Sequence, residues 1–220
     1  MHLHGGAADV NTKAYGWGIE MARTKSLTVR RSVKKPPAEA TRLDSQAWVR
    51  AALDILAEQG IDGVRVEILA RQLGVTKGSF YWHFRDRDAL FEAILDAWRR
   101  QATLRIISRL DQTTQTSAGR LRQLLNLPFQ GPRAEWGANV ELSLRLWSRH
   151  DPRARATLAE VDQLRLRYIA GLFEDCGHSS SDAKARAVLA YAFIRVGTTL
   201  VESKDKATLE TCLSLISKSN

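Results

Sequence analysis

The chain has 220 residues, with 33 lysines and arginines against 24 aspartates and glutamates for a formal net charge of +9, and 44% of it is hydrophobic. That hydrophobic share, with only 14 glycines and 5 prolines, excludes a wholly unstructured chain and predicts a core of useful size. The longest apolar run, the 8 residues from Ala187 to Ile194, is far short of the roughly 20 that a membrane-spanning helix needs, so no membrane partner is expected.

Cys176 and Cys212 occur without a CxxC pair or a His-rich partner spacing, so neither a disulfide framework nor a zinc site is expected. No metal or cofactor is expected, and a reducing cytosol is the default compartment. The first residues, MHLHGGAADVNTKAYGWG, lack the positive start and apolar stretch of a secretory signal. The charge is unevenly spread: residues 1–40 hold 7 basic and 3 acidic groups, 41–87 hold 7 and 6, and 88–220 hold 19 and 15. The densest part is RTKSLTVRRSVKKPP, ending in the helix-resisting Pro36 and Pro37. Residues 1–40 are expected to be a flexible basic arm. Such an arm either follows nucleic-acid phosphates or enters a minor groove, or it is a solvated tail or the product of a start placed too early. His2 and His4 on such a terminus make a poor metal site.

From Arg42 onward the apolar spacing is helical, and no alternation long enough for a strand occurs, which predicts an all-α fold. Trp48, Ala52, Ile55 and Leu56 lie on one face of a first helix that Gly60 closes. Val66, Leu69, Ala70 and Leu73 give a second short helix its buried stripe, and Gly74 supplies a sharp turn. Thr76 is placed to cap a third helix, Lys77 to about Phe84, with Phe80 and Phe84 pointing together into the core. Asp86 caps a fourth, with Leu90, Phe91, Ile94, Leu95 and Trp98 at core spacing. Further helices are expected near Ala118 to Leu127 and Glu135 to Arg149, separated by the breaker PFQGPR. Asp151 and Pro152 then start one that runs to about Cys176, where Gly177 ends it. Residues 181–203 and 207–217 give the last two.

Two short helices joined by a glycine-containing turn, with stripes at Leu69, Ala70 and Leu73 and at Phe80, match the helix-turn-helix, here at about 65–84. The segment VRVEILARQLGVTKGSFYWHFRDRDALFEAIL, Val64 to Leu95, and within it GVTKGSFYWHF, resembles the N-terminal DNA-binding domain of TetR-type transcriptional regulators. The resemblance implies a helix-turn-helix domain at 41–101 with its fourth helix linking to a C-terminal ligand-binding and dimerisation domain at 102–220. It also implies that Lys77, Gly78 and Tyr81 face the major groove, that Thr76, Trp82 and His83 meet phosphates, and that Ser79 belongs to the same surface. Elementary chemistry agrees: lysine supplies a cation, Gly78 admits close backbone approach, and the hydroxyl and ring N–H groups donate to phosphate oxygens. Arg87 stands where the family usually has a phosphate-binding lysine. Arg65 stands where it more often has Thr or Ser, so the hydroxyl cap is absent and a guanidinium is available to phosphate instead.

One short recognition helix reads few bases, so a specific operator in double-stranded DNA requires two copies about 34 Å apart and hence a homodimer. The last two helices are the expected interface, with Val188, Ala192, Arg195, Val196 and Thr199 along one side. The middle helices are expected to enclose a cavity for a small-molecule inducer, lined by Trp98, Phe129, Trp136, Trp147, His150 and Tyr168. The implied function is a repressor released from its operator by that inducer. Its alternative is a sequence-tolerant nucleic-acid binder in which the basic arm dominates. A Cys176–His178 nucleophile pair lacks an identifiable orienting third residue, so no enzyme is expected.

Overall fold

The structure, a computed structural model, describes residues 44–112, 116–130, 134–201 and 205–217, and among the described residues every regular element is helical. The expected basic arm, with His2 and His4, lies outside them. The Asp44 carboxylate accepts the Ala47 N–H at 2.8 Å and starts α1 (Ser45–Gln59), which buries Trp48, Ala52, Ile55 and Leu56 along one face. Gly60, at φ 71°, ends it by bonding back to the Leu56 carbonyl at 3.0 Å. A short 3-10 turn, Ile61–Gly63, leads into α2 (Val66–Gln72).

The turn after α2 is a Schellman end: Gly74 N–H bonds the Arg71 carbonyl at 3.2 Å and Val75 N–H bonds the Ala70 carbonyl at 2.9 Å. Gly74 has φ 68°, and a Cβ there would meet nothing within 4 Å, so the backbone angle rather than crowding demands glycine. The third helix, α3, is shorter than the spacing predicts: it covers Lys77–Phe80 and not Lys77–Phe84. Beyond Phe80 the chain tightens, with Trp82 N–H on the Ser79 carbonyl at 3.4 Å and His83 N–H on the Phe80 carbonyl at 2.9 Å. Gly78 and the Tyr81-Trp82-His83 run are weak helix formers, which accounts for the early end. Thr76 takes the N-cap backbone position, but its hydroxyl makes no capping bond, contrary to expectation.

Asp86 caps α4 (Arg87–Arg99) through the Ala89 N–H at 2.8 Å. This helix does not stop near residue 101. It passes through one π-turn, Arg100–Leu104, into α5 (Arg105–Asp111). Then follow α6 (Ser117–Asn126), a 3-10 turn at Leu127–Phe129, α7 (Ala134–Trp147), α8 (Pro152–Asp175), α9 (Ser180–Leu200) and α10 (Lys206–Ser217). Asp151 caps α8 through Arg153 N–H at 2.8 Å and Ala154 N–H at 3.2 Å, with Pro152 at the first helical position.

Two apolar cores result. The first joins Trp48, Leu56, Leu69, Phe80, Leu90 and Ile94 to Val140, Leu144 and Trp147 of α7 and Ala154, Leu158 and Val161 of α8. The second gathers Leu110, Leu121, Leu125, Ile169, Phe173, Ala187, Tyr191, Ile194 and Leu213. The expected division at residue 101 therefore follows chain order but is crossed by the packing, because α7 and the start of α8 complete the core beneath α1 and α4.

Candidate nucleic-acid interface

Phe80 is fully buried, edge-on to Trp48 at 5.3 Å and stacked on Phe84 at 5.3 Å. Those contacts anchor the segment 76–84 from below, and its other side chains face outward. Tyr81 is 54% exposed and Trp82 76%, both large for a surface. Thr76, Lys77 and Gly78 are exposed, and Ser79 and His83 are half-buried beside them. A Cβ on Gly78 would meet only the Thr76 hydroxyl oxygen, at 3.8 Å, so nothing in the fold itself calls for a glycine there.

The cations behave differently from one another. Arg65 occupies the N-cap position of α2 without a side-chain cap, and its Nε donates to the Asp62 carbonyl at 3.0 Å. Arg87 is a fastener: its Nε donates to the Val64 carbonyl at 3.0 Å and a terminal nitrogen to the Ile61 carbonyl at 3.2 Å, with the guanidinium 4.6 Å from the Phe91 ring centre. Part of its donor set is thus spent on tying α4 to the turn before α2. Lys77 donates to Glu67 of α2, a partner the sequence reading did not single out.

The six side chains expected to line one cavity are divided instead. Trp98, Trp136 and Trp147 belong to the first core, Phe129 and Tyr168 pack against the second, and His150 is exposed in the turn after α7. Trp147 is edge-on to Phe91, Trp136 donates to Asp54 at 3.0 Å, and Phe129 lies against Phe193. The Tyr168 hydroxyl donates to Asp111 at 2.9 Å; burial, and then that carboxylate, push its pKa up to about 12. They separate because each aromatic ring satisfies its nearest helix contacts rather than a shared void. A cleft of about 220 Å³ runs between α4 and α8, lined by Glu92, Asp96, Arg99, Arg153 and Glu160 among others, and one of about 350 Å³ lies between α8 and α9, around Leu166, Ala170, Ala187 and Val188. Neither is lined by any of the six.

What the middle of the C-terminal region holds is a charged cluster that sequence reading missed. Glu141, 5% exposed, is bonded by Arg165 at 3.0 Å, Arg145 at 2.9 Å and Arg195 at 2.8 Å. Asp162 takes two bonds from Arg145 and one from the Tyr191 hydroxyl at 2.6 Å. Burial raises the Glu141 pKa, but the charges of Arg165, Arg195 and Arg145 overcome it and hold the carboxyl below its ordinary value. Arg165 also bonds the Thr103 hydroxyl at 3.1 Å and the Ala102 carbonyl at 3.2 Å, and lies 5.4 Å over the Trp98 ring. It thereby ties the cluster to the π-turn that continues α4. The Glu141/Arg145 spacing of four on α7 was the one available sequence signal.

The expected interface residue Arg195 points inward to Glu141, whereas Val188, Ala192 and Val196 are exposed, with Leu189 and Leu200 beside them on α9 and Leu215 on α10. The side chain of Thr199 is outside the described ones. Burial pushes the Cys176 thiol up, away from a reactive thiolate, and His178 is held by Asp182 at 2.7 Å. Among the described residues no group of three or more metal-binding side chains converges, and no helix is long and apolar enough to cross a membrane.

Residues 49–94 match the model for bacterial regulatory proteins of the tetR family. The chain is 30% identical over 166 residues to the tetracycline repressor protein class A from transposon 1721 of Escherichia coli, across 74% of this chain and 68% of that repressor. Its fold is similar to that of a transcriptional regulator from Rhodococcus sp. Rha1, with a TM-score of 0.61 and 21% identity over 80% of this chain and 94% of that one. It is similar too to FadR from Bacillus subtilis, solved in complex with stearoyl-CoA, with a TM-score of 0.59 and 19% identity over 79% and 97%.

Proposed function

Because the chain belongs to the TetR family of bacterial transcriptional regulators, whose members bind operator DNA and act as dimers, we propose that it is a sequence-specific repressor released from its operator by a small-molecule inducer. The carrying observation is the 76–83 surface, where Phe80 and Phe84 fix the backbone and leave Tyr81 and Trp82 outward beside an unhindered Gly78. In a helix-turn-helix that surface lies in the major groove. Lys77, Gly78, Ser79 and Tyr81 meet base edges; Thr76, with its hydroxyl free of capping duty, Trp82, His83 and Arg65 meet phosphates; Arg87 adds the donors left over from its fastening role.

The apolar stripe of Val188, Leu189, Ala192 and Leu200, continued by Leu215, supports a homodimer through α9 and α10. FadR's complex with stearoyl-CoA supports a small-molecule effector for this chain. We assign it to the C-terminal region beside Trp98 and Arg165, where a ligand can act on the π-turn and so on α4. For a 100-fold loss of operator affinity the inducer must favour the non-binding state by about 2.7 kcal/mol.

The test is selection of duplexes from a random pool, followed by titration with Tyr81→Ala. The variant should lose most of the preference for the selected sequence over a scrambled one while keeping its thermal midpoint. A preference left intact removes Tyr81 from the groove and the assignment with it.

A further inference from the structure

One ion pair joins the first turn of α2 to the start of α3. Glu67 accepts a hydrogen bond from the ammonium of Lys77, ten positions on, and the two side chains are 58% and 53% exposed. An exposed pair of this kind contributes about 0–1 kcal/mol. Leu69, Ala70 and Phe80, all buried, already hold the two helices together. The pair is therefore dispensable for the turn. The N-terminal residues of the second helix of a helix-turn-helix meet base edges in the major groove, so Lys77 brings its acidic partner to the DNA. A carboxylate there is repelled by the phosphates and can only accept. Cytosine offers it the N4 amino group, whereas adenine sets the acceptor N7 next to its amino group. Lysine can only donate, and guanine offers it O6 and N7.

Given the sequence-specific DNA binding proposed above, we infer that Glu67 is a specificity-determining residue that reads, with Lys77, one C·G base pair in each half-site. Glu67 accepts from cytosine N4 and Lys77 donates to guanine O6 and N7. On any other sequence Glu67 remains on Lys77, cancels its charge and withholds it from phosphate. The hydrogen bond between them lowers the Glu67 pKa and raises that of Lys77, so both groups are ionised at neutral pH.

The test compares full-length wild-type protein with Glu67→Gln and Lys77→Gln in selection from random duplexes, followed by titration of selected and scrambled duplexes across a salt series. Wild type should select cytosine at one position of each half-site. Glu67→Gln should relax that position by about 5- to 100-fold. It should also bind scrambled DNA more tightly, with a log–log salt slope steeper by about 2 per dimer, because two lysines are released. Lys77→Gln should relax the same base pair. A Glu67→Gln protein with the wild-type sequence preference and salt slope overturns the inference, as does relaxation at different positions by the two variants. A large fall in thermal midpoint for Glu67→Gln overturns it by showing a structural role. Enrichment of no sequence by wild type overturns both this inference and the function on which it rests.

Discussion

Gly74 and Gly78 look alike in the sequence and stand four residues apart, yet the structure gives them opposite roles. Gly74 holds a left-handed backbone at φ 68°, so Gly74→Ala should cost about 1–2 kcal/mol, seen as a lower denaturation midpoint. Gly78 is helical with room for a methyl group, so Gly78→Ala should leave stability unchanged or raise it by up to about 1 kcal/mol while weakening operator binding. A Gly78→Ala protein that binds the operator like wild type would show that the groove never approaches this backbone. The turn glycine and the Phe80/Phe84 anchor were legible because local spacing dictates them. The Lys77–Glu67 pair and the bonds from Arg87 to residues 61 and 64 were not, since pairings across ten to twenty-six positions leave no periodic trace.

At the scale of elements, α4 joins the turn before α2 to α8 and to the π-turn. Arg87 binds it to the turn before α2, and Arg153 of α8 reaches Asp88 at 3.0 Å. Arg165 holds the π-turn at its far end. A π-turn is a place where a helix can shift register by small backbone changes and is frequent at functional sites. Arg165→Met removes one of the three arginines on Glu141 and the donor to the Ala102 carbonyl, and should destabilise the protein by about 1–3 kcal/mol, measured by urea unfolding. Most helix ends were readable from their caps, as at Gly60, Asp86, Asp151-Pro152 and Gly177, whose chemistry is local. The π-turn was not, because Arg100–Leu104 has the composition of ordinary helix, and α3 ran short because its aromatic residues serve the surface rather than the helix.

For the whole molecule, the charge of +9 is a poor guide to where DNA would bind, since residues 41–87 hold 7 basic against 6 acidic groups. Recognition depends on placed side chains. The buried cluster sets the acid limit of stability. Glu141 and Asp162 are raised by burial but lowered further by their arginines, so both titrate below their ordinary values. Their contribution is complete above the unfolded-state values near pH 4 and is lost as pH falls through the folded ones. The thermal midpoint should drop below about pH 4, and Glu141→Gln should start lower and lose less on acidification. Beyond the Glu141/Arg145 spacing on α7, the cluster left no trace in the sequence, because its six members come from three helices and the excess of arginine there resembles a solvated face. The most direct test of the central claim is a titration of the purified protein, across a salt series, on a selected duplex with two half-sites one turn apart and on its scrambled counterpart. A dimer with about eight phosphate contacts should show a log–log slope near −7 on the selected duplex and prefer it by about 10³-fold or more. Equal affinity for the two duplexes at every salt concentration would contradict a sequence-specific regulator.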